Sequence, residues 1–110
     1  MQQKYPGKLH LYEADLLEEG SFSEVMQGCS VVMHTASPFK IKVKDAQTEL
    51  IDPALQGTRN VLLEANNCKS VQRIILTSSV AAINGDNLDL KTKSIDQLDE
   101  SHWNTSSSLQ

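Results

Sequence analysis

Thr77, Ser78 and Ser79 set three consecutive hydroxyl groups at the end of an apolar, β-branched run, VQRIILTSSVAAI from Val71 to Ile83. Such a run reads as a buried strand that delivers serines to a site, where a hydroxyl can both donate and accept a hydrogen bond. Two features that would complete a familiar chemistry do not accompany it. None of the five glycines stands two residues from another, so there is no G-x-G-x-x-G, and neither Tyr5 nor Tyr12 has a lysine four residues later. The chain therefore reads as the middle of an enzyme.

The elements that must position these hydroxyls follow from periodicity. Lys8 to Asp15 reads as a strand, Leu9 and Leu11 alternating with polar residues before Ala14-Asp15 closes it. Ser21 stands three residues before Glu24, the spacing of a capping box, and Gly28 sits where a left-handed C-terminal cap belongs, which predicts one short helix between them. Val31 to His34 is a second strand, stopped by Ser37-Pro38 because proline cannot donate to a ladder.

After the polar loop IKVKDAQ, a helix is expected from about Thr48 to Asn67, with Leu50, Ala54, Thr58, Val61, Leu62 and Ala65 as one apolar stripe. Pro53 either starts or kinks it. Gly57 costs up to about 1 kcal/mol in a helix interior, so its presence marks close approach to another backbone. A third strand follows at Val71 to Thr77. The order is β-α-β-α-β, an α/β class with a parallel sheet covered by helices. From Asn84 onward the sequence turns rich in Asn, Asp, Ser and Thr and reads as a loop or an unfinished element.

In an open parallel sheet, ligands bind beyond the carboxyl ends of the strands. Those ends carry Asp15, then Thr35-Ala36-Ser37, then Thr77-Ser78-Ser79. They are small acceptors and hydroxyls, able to line a cleft that holds an adenosine and a carbonyl. A phosphoacceptor receiver domain shares this architecture, using Asp15 with Thr35 or Ser37, but it needs a lysine ending the third strand and Ser79 is followed by Val80. Each residue also has a plainer reading. Asp15 can initiate an Asx turn, Ser79 can cap a loop, and apolar-flanked His34 reads as a buried hydrogen-bonding group rather than a base.

Composition narrows the class. At 110 residues and 39% hydrophobic, with aromatics at only 5%, the chain is at most one modestly stable domain whose core rests on aliphatic residues. A formal net charge of −4 and no basic cluster argue against nucleic acid, which requires a basic face. Cys29 and Cys68 match no zinc or C-x-x-C spacing and read as reduced thiols, with no metal site. No segment has the apolar length of a signal h-region or membrane span, so a soluble cytoplasmic protein is expected.

Four segments in order carry a resemblance: EADL at Glu13 to Leu16, VVMHTASPF at Val31 to Phe39, PALQGTRNVLLEA at Pro53 to Ala65, and IILTSSVAAI at Ile74 to Ile83. Together they resemble the extended short-chain dehydrogenase/reductase family, within the NAD-dependent epimerase/dehydratase superfamily, and most closely its dihydroflavonol reductase and cinnamoyl-CoA reductase branch. The resemblance implies a partial Rossmann-type doubly wound sheet over residues 1–83, with 84–110 leading toward a Tyr-x-x-x-Lys helix. It implies that Asp15 bonds the adenine amino group, Leu16 packs on the ring, Thr35 and Ala36 border ribose and pyrophosphate, and Thr77 and Ser78 lie near the nicotinamide. Ser79 would be the catalytic serine that hydrogen-bonds the substrate carbonyl.

The implied cofactor is NADP, with NAD as the alternative, and the implied partner is a small-molecule carbonyl substrate. Trp103, with Asp99, Glu100 and His102, resembles the segment that precedes the tyrosine helix and is expected to pack a flap. The glycine-rich loop and the Tyr-x-x-x-Lys are expected outside residues 1–110, which makes this a central fragment, inactive alone. A non-catalytic remnant or cofactor-sensing module is the alternative from another class. An epimerase or dehydratase is less favoured because PALQGT is reductase-like.

Overall fold

Val31–His34 (β1) and Arg73–Leu76 (β2) pair as a two-stranded parallel sheet, each strand four residues long and rich in Val, Ile or Leu. Parallel neighbours need a long crossover. Here it is Asp52–Asn67 (α2), a 16-residue helix. The computed structural model describes residues 7–85, 90–91 and 96–108; Tyr5 and parts of the polar segment after Asn84 lie outside the described residues. The chain divides into two compact units between Ile75 and Leu76.

In the first unit, Met26, Val61, Ala65 and Cys68 are buried together, with Leu16, Phe22, Val32 and Val71 packed against them. Met26 comes from the short helix Ser23–Met26 (α1), so the core joins α1, β1 and α2. Pro53 falls in the first turn of α2, where a missing N–H costs nothing. Directly before it the backbone widens into a π-helical turn over Gln47–Ile51. A proline cannot supply the i→i−4 donor, and a wider turn accommodates that loss.

Three sequence expectations are corrected. Lys8 to Asp15 is not a strand, because a ladder requires a neighbouring strand and none among the described residues pairs with it. The observed order is therefore α1-β1-α2-β2 and a short helix Val80–Ile83 (α3), still an α/β arrangement. The capping box does not form: α1 is preceded by Phe22 without a side-chain cap, and Ser21 Oγ instead accepts from the Asp15 N–H at 2.7 Å. The apolar stripe of α2 holds at Val61 and Ala65 but fails at Leu62, and it omitted Gly57 and Asn60. Its buried residues are Gly57, Asn60, Val61 and Ala65, whereas Leu62 is exposed beside Leu55 and Leu63.

Other features agree with the sequence. Gly28 adopts φ 78° after α1, the left-handed region that glycine tolerates best. The third strand is present, shortened to Arg73–Leu76. In the second unit, Ser79 caps α3 and Asn104 closes its other end, the Asn104 N–H donating to Ala82 O at 2.9 Å and its Nδ2 to Ala81 O at 2.8 Å. Among the described residues, no helix is long and apolar enough to cross a membrane.

Candidate functional site

Asp15 sits in a tight turn whose every polar contact is local or anchored to α2. Its N–H donates to Ser21 Oγ, and the Leu17 N–H donates to Asp15 Oδ1 at 2.8 Å, an Asx turn. The plainer reading of Asp15 is thus present in the structure. It does not consume the carboxylate, which offers about four acceptor positions. The next residue is held from the other side: Asn60 Nδ2 donates to Leu16 O at 2.8 Å, and Gln56 Nε2 donates to Asn60 Oδ1 at 2.8 Å.

The turn forms one wall of a recess of about 490 Å³ lined by Asp15, Leu16 and Leu17 together with Ala36, Ser37 and Pro38. A mostly apolar recess with Asp15 and Ser37 in its lining can take a flat heteroaromatic ring carrying an amino group, the apolar side chains packing and a carboxylate accepting from the amine. An adenine ring is one group of that kind. Thr35 follows β1 and joins Leu16 and Ala36 around a second space of about 270 Å³. The first unit thus gathers Asp15, Leu16, Thr35 and Ala36, four of the residues expected to bind cofactor.

His34 lines that second space and is buried at 5% exposure. The sequence reading expected a satisfied hydrogen bond, but its Nε2 has no partner among the described residues. The space it lines is walled mainly by Val, Leu, Met and Phe side chains, with Cys29 and Thr35 among them.

Thr77, Ser78 and Ser79 belong to the second unit and are exposed. Ser79 has extended backbone, φ −134° and ψ 149°, and its Oγ accepts from the Ala81 N–H at 3.2 Å. This is the capping role, and it fixes the oxygen while leaving the hydroxyl hydrogen available to a ligand. Farther along, the Ser101 hydroxyl (2.6 Å) and N–H (2.9 Å) and His102 Nδ1 (2.7 Å) surround Asp99 Oδ1. The Ser101 bonds chiefly, and then His102, lower the Asp99 pKa from 3.8 to about 2. Trp103 lines a recess of about 340 Å³ with Ile83, Leu90 and Leu98 but is itself largely exposed.

Several residues that hold the site were missed in the sequence. Asn60 and Gln56 fix the turn after Asp15. Glu64 accepts from the Gly20 N–H at 2.8 Å and from Ser23 Oγ at 3.0 Å, tying the same loop to α2. Their only advance signal was a polar residue on the helix face that also carries Gly57. Both cysteines are free. Cys68 Sγ donates to Met26 O at 3.2 Å, and the Ser70 hydroxyl beside it lowers the thiol's pKa.

Residues 2–108 match the family model described as the 3-beta hydroxysteroid dehydrogenase/isomerase family. The chain is 58% identical over 76 residues to the cinnamoyl-CoA reductase CAD2 of Medicago truncatula, covering 69% of this chain and 23% of that protein. It is 38% identical over 95 residues to a dihydroflavonol 4-reductase of Gerbera hybrida, covering 86% of this chain and 25% of that protein. The chain thus spans about a quarter of the length of these curated relatives. Among solved structures, Gre2 of Candida albicans in complex with NADPH superposes with TM-score 0.58 at 40% identity, over 64% of this chain and 22% of that one. A reductase engineered to attenuate substrate inhibition in asymmetric catalysis superposes with TM-score 0.65 at 30% identity, over 80% of this chain and 27% of that one.

Proposed function

The chain belongs to the 3-beta hydroxysteroid dehydrogenase/isomerase family, and from that premise we propose that it is part of an NADPH-dependent reductase acting on a small-molecule aldehyde or ketone. The observation that carries this reading is the mostly apolar recess lined by Asp15, Leu16 and Ala36, in which Asp15 is the one charged residue among the described residues. In this reading Asp15 accepts from the adenine amino group, Leu16 packs on the ring, and Thr35 and Ala36 border the ribose and pyrophosphate. Thr77 and Ser78 lie on the nicotinamide side. NADP is preferred over NAD because a relative of this fold is an NADPH complex. Residues 1–83 belong to the cofactor domain and 84–110 to the segment after it. Free cysteines are in keeping with a cytoplasmic compartment.

A bound reduced nicotinamide would supply hydride to the carbonyl carbon, and the carbonyl oxygen would take its proton from the tyrosine expected outside residues 1–110. The chain's own contribution is Ser79. Its oxygen is pinned by the Ala81 N–H, so its hydrogen can donate to the carbonyl oxygen, where negative charge grows. The test is Ser79→Ala in the complete polypeptide that carries residues 1–110, assayed with NADPH and a panel of aldehydes and ketones. Turnover should fall by about 10²- to 10³-fold, as for loss of one oxyanion donor, with NADPH affinity retained. A fall below about threefold at saturating substrate would refute the role. Loss of the cap costs about 1 kcal/mol, so thermal stability is followed alongside.

A further inference from the structure

Asn60 is an unusual residue to find inside a helix core. It is 3% exposed, and asparagine is a weak helix former. Both ends of its amide are used: Nδ2 on the Leu16 carbonyl, 44 positions away in sequence, and Oδ1 on Gln56 Nε2. One turn earlier on the same helix, Gly57 lets the backbone approach until a Cβ there would lie 3.0 Å from Leu16 Cβ. Two neighbouring positions of α2 thus grip a single residue. That residue directly follows Asp15 and shares the recess with it.

The hydrogen bond has a consequence beyond packing. A carbonyl fixed by a buried amide fixes the orientation of the peptide plane that follows it. That plane carries the Leu17 N–H, which in turn donates to Asp15 Oδ1. The chain of contacts runs from Gln56 through Asn60, Leu16 O and Leu17 N to the Asp15 carboxylate, within one unit of the structure. We propose that Asn60 is a positioning residue for the adenine end of the cofactor, aiming the Asp15 carboxylate through the Leu16–Leu17 peptide. This rests on the dinucleotide reading of the recess given above.

The test compares two probes, NADPH and reduced nicotinamide mononucleotide, which lacks the adenosine. Both are titrated into the complete polypeptide carrying residues 1–110, unaltered and as Asn60→Leu, which keeps the branching of the side chain, with somewhat more bulk, and removes the donor. The expected result is an NADPH dissociation constant raised about tenfold, the scale of one buried hydrogen bond. Binding of the mononucleotide and kcat at saturating NADPH should stay within about twofold. Parallel weakening of both probes, or unchanged NADPH binding in a folded variant, overturns the proposal. Should Asn60→Leu not fold, Gln56→Ala decides: it removes only the bond that orients the amide, and a selective loss of about threefold supports the role while no loss overturns it. An unaltered protein that binds no NADPH overturns the reductase reading along with this one, whereas unaltered binding with unselective variants overturns this one alone.

Discussion

Gly57→Ala sets two effects of similar size against each other, and the structure decides the sign. Alanine in a helix interior gains about 1 kcal/mol over glycine, and it also restricts the unfolded chain. Against this, the new Cβ would lie 3.0 Å from Leu16 Cβ, 3.6 Å from Cδ1 and 3.7 Å from Cγ. Carbon contacts are optimal at about 3.5–4.0 Å, so the Cβ pair is too close by about half an ångström. A Cβ cannot rotate away from its own backbone, and the Leu16 backbone is held by Asn60. Overpacking of this kind costs about 1–3 kcal/mol, so the net expectation is destabilisation of about 1 kcal/mol. Denaturant midpoints for the complete polypeptide would measure it, in a cycle with Leu16→Gly. With the opposing Cβ gone, Gly57→Ala should become stabilising by about 1 kcal/mol, the helix gain alone. Stabilisation of that size in the unaltered background would refute the contact and the argument built on it.

Two further outcomes are expected. Asp99 should titrate with a midpoint of about 2, and Ser101→Ala should bring it back toward 3.8. A depressed folded pKa means the stabilisation is complete above the unfolded value and is lost as the pH falls through about 2. The Asp99 carboxyl carbon resonance reports this, and a midpoint at or above 3.8 in the unaltered chain would contradict the geometry. Residues 1–110 on their own should melt broadly and bind a hydrophobic dye, because Ile74, Ile75 and Leu76 are 36%, 44% and 51% exposed and, among the described residues, only four apolar side chains are buried. A sharp transition with coincident circular dichroism and fluorescence would overturn that expectation.

What could be read from the sequence was whatever local chemistry decides. β1 was legible because Val31-Val32-Met33 is apolar and Pro38 forbids continuation, and Gly28 because a residue after a short helix needs left-handed backbone. Gly57 was legible as a close approach, although its neighbour proved to be the Leu16 side chain rather than a backbone. What failed depended on partners. Lys8 to Asp15 has strand alternation, but strand formation is a property of two segments and none pairs with it among the described residues. The stripe of α2 was right at Val61 and Ala65 but took in Leu62 and left out Gly57 and Asn60, because it was drawn through the apolar residues. The helix also buries Gly57 and Asn60, where absence of a side chain and a paired amide allow the Asp15 turn to dock. No hydrophobic pattern reports a buried asparagine, since its burial is favourable only once Leu16 O is there to bond.

Asp15 and Ser79 show why structural and chemical readings of a polar residue need not compete. For each, the sequence allowed a local hydrogen-bonding role or a ligand-binding one, and the structure shows the local role. In both cases that role uses part of the group's capacity. Asp15 spends one acceptor position on Leu17 N–H, and Ser79 spends a lone pair on Ala81 N–H. What remains on Asp15 is acceptor capacity suited to an amine, and on Ser79 a hydrogen suited to a carbonyl oxygen. A side chain held by one such bond loses its rotamer freedom before a ligand arrives, so the ordering cost is met in folding rather than in binding. The Asx turn and the helix cap are therefore part of how these residues would act. Removing either bond partner while leaving Asp15 and Ser79 intact should weaken function in proportion to the lost orientation.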